Sequence, residues 1–121
     1  MTTLEIGKQL VELCRGGKNH EAMEKLYSPD IVSVEAGAPP GQSAEAKGIA
    51  AVMAKGKWWA ENHEIHKAEV EGPFPHGDRF ATVFKYDITR KADKQRIQMH
   101  EVALFTVAGD KITREEFFYA M

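Results

Sequence analysis

Apolar positions recur along this chain with two different periods, and the switch between them divides it. Over Thr3 to Arg15 the residues Leu4, Ile6, Leu10, Val11, Leu13 and Cys14 fall mostly on one helical face, and Gly16-Gly17 supplies a stop. His20 to Tyr27 carries Ala22, Met23 and Leu26 at the same spacing and predicts a second, short helix, broken by Ser28-Pro29-Asp30. Ile31 to Glu35 is β-branched and reads as a strand. Ala36 to Gly48, rich in Gly, Pro, Ser and Ala, reads as an exposed loop. Helical spacing returns over Ile49 to Asn62, where Ile49, Val52, Met53 and the Trp58-Trp59 pair supply apolar surface.

After His63 the period falls to that of strands. Glu64 to Glu71 is one, closed by Gly72-Pro73. Arg79 to Lys91 alternates cleanly, with Phe80, Thr82, Phe84, Tyr86 and Ile88 on one face. Ala92-Asp93 turns the chain into Lys94 to Val107, and Ala108-Gly109-Asp110 turns it again into Lys111 to Tyr119. The predicted order is helix, helix, strand, helix, then four antiparallel strands. Helices segregated from an antiparallel sheet define an α+β class. No repeat or linker interrupts residues 1–121, so one domain is expected.

That order is similar to the nuclear-transport-factor-2-like superfamily, which includes ketosteroid isomerases and SnoaL-like polyketide cyclases. Leu26-Tyr27-Ser28-Pro29-Asp30 leading into Ile31–Glu35 resembles its "L-Y-x-x-D" entry into the first strand. Gly109-Asp110-Lys111-Ile112, running on to Phe117-Phe118-Tyr119, resembles its "D-G-K-I" hairpin and aromatic last strand, with Gly and Asp inverted. Gly48-Ile49 resembles its "G-x-x-x-I" region loosely. The resemblance covers essentially the whole chain and is nearest to SnoaL-like proteins of unknown function. It implies a cone-shaped domain, three helices of the N-terminal half on a curved antiparallel sheet, enclosing an apolar pocket. Fold alone does not assign chemistry.

Alternation then nominates the pocket residues. If Phe80, Phe84 and Tyr86 point inward, the short turns bring Met99, Glu101, Ala103 and Phe105 beside them, followed by Glu115, Phe117 and Tyr119. A one-residue slip replaces Glu101 with His100 and Glu115 with Glu116. Glu35 stands where the resembling isomerases carry a proton-shuttling carboxylate, and an apolar wall raises such a group toward a general base. The isomerases' oxyanion donors are not matched: Leu10 and Ala103 stand at those positions, which argues against ketosteroid isomerisation by that constellation. Glu101 and Glu115 together offer an acid and a base instead, unless Arg96 or Arg114 pairs with them. Glu35, Glu101 and Glu115 are the candidate catalytic residues. Trp58, His66, Phe84, Tyr86, Met99 and Tyr119 are the candidate substrate-binding residues. Trp58-Trp59 and Tyr27 are read chiefly as core between helix and sheet, with one Trp roofing the pocket.

Charge and composition narrow the partners. A formal charge of -2 forms no basic stripe, so nucleic acid is not expected. Apolar runs are too short to span a bilayer and no leader pattern opens the chain, so a cytoplasmic location without a membrane partner is expected. The lone Cys14 reads as an inert buried thiol. The five histidines form no H-x-H or H-x-x-x-H pair, so neither a metal nor another cofactor is expected. Three functions stay open: a cofactor-free acid–base enzyme on a small apolar substrate, a binding module for an apolar metabolite, and a homodimeric interaction domain that covers the outer sheet face.

Overall fold

The structure is a computed structural model and describes residues 1–120. Helix α1 spans Thr3–Arg15 and opens on a capping box. The Thr2 hydroxyl accepts from the Glu5 N–H at 3.1 Å, and the Glu5 carboxylate accepts from the Thr2 N–H at 3.2 Å. Its buried stripe is Ile6, Gly7, Leu10, Val11 and Cys14. Gly7 is required by closeness: a Cβ there would lie 2.7 Å from Pro73 Cβ, so α1 could not settle on the sheet. Helix α2 spans Asn19–Leu26 and α3 spans Ile49–Asn62.

Six strands complete the chain: β1 Tyr27–Val34, β2 Glu45–Lys47, β3 His63–His76, β4 Arg79–Arg90, β5 Gln95–Ala108 and β6 Lys111–Phe118. They form one sheet in the order β2-β1-β6-β5-β4-β3. Helices and sheet close over a shared core of Ile6, Leu10, Leu26, Ile31, Val52, Phe80, Phe84, Phe105 and Ile112. No described helix is long and apolar enough to cross a membrane.

Four expectations need correction. The sheet is not wholly antiparallel, because β1 lies parallel to β6, with Ser33 opposite Glu115. The stretch read as loop contains β2, whose Glu45-Ala46-Lys47 pairs with β1; none of the three is β-branched, so pairing rather than propensity makes the strand. Strand β1 starts directly at Tyr27, with an irregularity between Tyr27 and Val32 that absorbs Pro29. Strand β3 runs through Gly72-Pro73 instead of ending there, its register shifting between Glu71 and Phe74. As the sheet's edge strand it can hold a proline that donates no hydrogen bond.

The β4–β5 register is Phe80↔Phe105, Thr82↔Ala103, Phe84↔Glu101 and Tyr86↔Met99. Across β5–β6 it is Phe105↔Glu115 and Ala103↔Phe117. Glu101 and Glu115 are therefore on the inner face. His100 and Glu116 are on the other.

Candidate functional site

Four elements deliver the polar residues of the inner face. The β1 alternation Ile31, Ser33, Glu35 turns all three toward the core side, and Ser33 and Ile31 are fully buried. Beyond the strand end, the Glu35 N–H donates to the Ala44 carbonyl at 2.9 Å, which fixes where the Glu35 side chain begins. Strand β5 contributes Glu101, β6 contributes Glu115 and Phe117, and α3 contributes Lys55.

These side chains form one connected network. Tyr27 donates its hydroxyl proton to one oxygen of Glu115, and Ser33 donates to the other at 2.6 Å. Lys55 donates to Ser33 Oγ at 2.5 Å and to Glu35 at 2.7 Å. Tyr119 donates to the second oxygen of Glu35 at 2.9 Å. The ammonium of Lys55 also stands 5.3 Å from the centroid of the Phe117 ring. A chain of contacts thus runs from the core to the rim: Glu115 is 2% exposed, whereas the Glu35 and Lys55 side chains are each 29% exposed.

The electrostatics separate the carboxyls. Burial pushes Glu115 up, and the hydrogen bonds from Ser33 and Tyr27, with the nearby charge of Lys55, pull it back. Glu101 is pushed up to about 7, first by burial and then by the charges of Glu35 and Glu115, with Lys55 opposing. No hydrogen-bond donor reaches its carboxyl among the described residues. Tyr27 is raised well above its usual value by burial and by Glu115. Tyr119 is pushed up to about 12 by burial and by its bond to Glu35. The Cys14 thiol, also raised to about 12 by burial, stays protonated near neutral pH.

Of the residues nominated from sequence, the structure brings Glu35, Glu101, Glu115 and Tyr119 to one place. Phe84 lies across from Glu101 and stacks on Tyr86 at 5.9 Å, and Tyr86 lies across from Met99. Neither arginine occupies the carboxyls: Arg114 pairs with Glu116 and Arg96 with Asp87.

Two residues fall elsewhere. Trp58 is 61% exposed and does not roof the face. Its neighbour Trp59 takes the inward position, stacked on His63 at 4.7 Å and 5.6 Å from Tyr86. Adjacent helical residues point about 100° apart, so only one of the pair can face the sheet. His66 sits exposed where the β3 register shifts, bonded to Thr89 at 2.6 Å, and does not join the carboxyls.

Sequence reasoning missed Lys55 and Ser33, and it read Tyr27 only as core. A signal for Lys55 existed. Val52, Lys55 and Trp59 are three and four residues apart, so the lysine lies in the stripe that faces the sheet. Among the described residues no three His, Cys, Asp or Glu side chains group so as to hold a metal ion. Open surface concavities of about 570 and 270 Å³ lie elsewhere, lined by residues such as Leu4, His76 and Val107, or Lys8, Glu12 and Arg15.

Residues 1–119 match the SnoaL-like domain family. Among solved structures, a candidate SnoaL-like polyketide cyclase from Mesorhizobium loti, also labelled a carbohydrate phosphatase, is 47% identical. The match covers 98% of this chain and 100% of that one, at a TM-score of 0.93. A candidate isomerase from Bacillus subtilis is 13% identical over 99% of this chain and 90% of its own, at 0.80. A protein of ketosteroid isomerase-like fold from Catenulispora acidiphila, in complex with trimethylamine, is 17% identical over 99% and 88%, at 0.74. The last two likenesses bear on fold alone. None of the curated proteins matches this chain.

Proposed function

This chain belongs to the SnoaL-like domain family, and from that premise we propose that it is a cofactor-free acid–base catalyst acting on a small, largely apolar molecule. Glu101 is the group that takes up and returns the proton. The observation that supports this reading is the contrast in donors: among the described residues Glu35 and Glu115 are each held by two hydrogen bonds, and Glu101 by none. A general acid–base works best when its pKa lies near the operating pH, and Glu101 is pushed there by burial and by two neighbouring carboxylates. Phe84, Tyr86 and Met99 give the substrate an apolar surface to lie on. Glu35 and Glu115, first nominated beside it, are the neighbouring carboxylates that raise Glu101.

The test is solvent exchange at carbon. Acetone, cyclohexanone and acetophenone in D₂O are followed by NMR with wild-type protein and with Glu101→Gln. Catalysed deuterium uptake by the wild type that falls about 100-fold or more in Glu101→Gln is the expected result. Equal rates for the two proteins would remove the proposal.

Leu10 and Ala103, both buried, favour a second reading as a binding module for an apolar metabolite, since neither supplies a donor. Native mass spectrometry that finds a retained small molecule, with no exchange on any ketone, selects that reading. Either function is compatible with a homodimer. On the outer sheet face Val102 and Phe118 are register partners and are 41% and 52% exposed. The charged outer-face residues Lys85 and Arg114 are already neutralised by Glu71 and Glu116, which lets a second copy approach. Sedimentation showing only monomer at micromolar concentration excludes the dimer.

A further inference from the structure

Buried hydroxyls are almost always hydrogen-bonded, because an unanswered one has lost its water and gained nothing in return. Thr82 is fully buried, and its Oγ1 has no partner among the described residues. It stands on the inner face of β4 between Phe80 and Phe84, with Ala103 directly opposite on β5. Across β3 the register passes from Glu71 opposite Val83 to Phe74 opposite Ala81, so Gly72 and Pro73 flank Thr82 on that side. Helix α1 packs on β3 and β4 and turns Ile6, Gly7, Leu10, Val11 and Cys14 inward, a stripe without a side-chain oxygen. Diagonally across β5 lie Phe105 on one side of Ala103 and Glu101 on the other. Among these neighbours only Glu101 carries a side-chain oxygen, and no donor among the described residues reaches it. An unused donor and an unanswered acceptor thus hold diagonal places on paired strands. Such places are about 7–8 Å apart, a separation that a long side chain spans. Ala103 between them extends no further than its methyl group.

We infer that Thr82 is a positioning residue for Glu101: its hydroxyl donates to the Glu101 carboxylate when that group is ionised. This role rests on the acid–base reading of Glu101 and deepens it, since Thr82 acts through the carboxylate rather than on the substrate. A hydroxyl has one proton to donate, and nothing else around Thr82 competes for it. Its oxygen can also accept from a protonated Glu101. A bond to an ionised oxygen is about twice as strong as one between neutral groups, so the net preference is for the base. Burial and the charges of Glu35 and Glu115 act the other way. Thr82 therefore limits how far Glu101 is driven from ionisation. It also occupies a single oxygen. Both oxygens of Glu115 are taken by donors, whereas one donor leaves Glu101 a second oxygen with which to accept a proton.

The test follows the Glu101 carboxyl carbon by ¹³C NMR from about pH 4 to 9 in wild type, Thr82→Val and Thr82→Ser. Glu35, Glu115, Lys55, Tyr86 and Tyr119 are the other titratable groups that face it, and all are kept. Valine preserves the shape of threonine and deletes the hydroxyl, while serine preserves the hydroxyl. The expected result is a Glu101 midpoint raised by about one unit in Thr82→Val and close to wild type in Thr82→Ser. The limb on which ketone exchange rises with pH should move up by the same amount, with its plateau kept. The urea midpoint of Thr82→Val should fall more at pH 8, where Glu101 is ionised, than at pH 5. A Glu101 midpoint unmoved in Thr82→Val overturns the role. An equal rise in Thr82→Ser overturns it too, since packing and not the hydroxyl would then be responsible. Thr82→Ala makes the same test if the Val variant fails to fold. The two readings fail separately. An unmoved midpoint with exchange lost in Glu101→Gln sinks only Thr82, and exchange that survives Glu101→Gln sinks the base.

Discussion

Glu115 and Glu101 stand on neighbouring strands and the same sheet face, and burial raises both, yet they sit in opposite chemical settings. Around Glu115 every oxygen is answered: Tyr27 from the start of β1 and Ser33 from its far half donate to it, and Lys55 stands behind Ser33. Glu101 lies across from Phe84, near the charges of Glu35, Glu115 and Lys55, and no donor among the described residues reaches its carboxyl. Donors that stabilise a buried carboxylate also hold it in one state. The floor of the inner face, at Glu115, is therefore tied down by its donors, and its wall, at Glu101, is not. Burial alone does not set a carboxyl's chemistry.

The largest effect expected from breaking this contrast comes at the floor. Glu115→Ala removes a fully buried side chain and leaves the Tyr27 and Ser33 hydroxyls without their acceptor. Each orphaned buried donor costs about 1–3 kcal/mol, and the emptied space adds to it. A loss of about 3–5 kcal/mol in urea unfolding is expected. A loss under about 1 kcal/mol would mean that the network adds little to the fold.

At the wall the sign reverses. The folded-state pKa of Glu101 is raised from 4.5 to about 7, so between those values the folded protein keeps a proton that the unfolded chain has released. Glu101 thus makes stability fall as pH rises from about 4.5 to 7, with no further loss above. The total is about 3–4 kcal/mol at most, since one unit corresponds to about 1.4 kcal/mol. Glu101→Gln should flatten that slope and leave the protein more stable at pH 8. Glu115, also raised, adds to the slope in the same direction and leaves a remainder. Unfolding curves from pH 4.5 to 8 for both proteins check this; parallel profiles would mean that Glu101 does not titrate in that window.

The wall was more legible in the sequence than the floor. Alternation along β4 and the short turns after it narrowed the register without fixing it: Glu101 and Glu115 face in, or a one-residue slip puts His100 and Glu116 in their places. The structure has the first. Glu35 came instead from the resemblance, which places a carboxylate at the end of the first strand. The floor depends on contacts between distant parts of the chain, which local patterns do not encode. Tyr27 and Glu115 are 88 residues apart, and they meet because β1 pairs in parallel with β6. Neither strand advertises that partner. Lys55 was obscured for a different reason. A lysine on a helix reads as solvated, and only its place between Val52 and Trp59 marks the inward stripe. The Trp58-Trp59 pair hid the phase of that same helix, because either tryptophan alone would satisfy the pattern.

The smallest effect sharpens the comparison between floor and rim, where a tyrosine donates to a glutamate in each. Tyr27→Phe keeps the ring in place and deletes the donor to a carboxylate that is 2% exposed. That bond favours the ionised form of Glu115, so its loss should raise the Glu115 pKa further and destabilise the protein by about 1–3 kcal/mol. The cost should be greatest at high pH, where Glu115 must ionise with only Ser33 to answer it. Tyr119→Phe deletes the matching donor to Glu35, whose side chain is 29% exposed and still held by Lys55. Water can replace the lost hydroxyl there, so the change should stay within about 0.5 kcal/mol at every pH. Denaturant midpoints for the two variants at pH 5 and pH 8 decide the matter. If both tyrosines cost the same, burial of the acceptor is not what separates floor from rim.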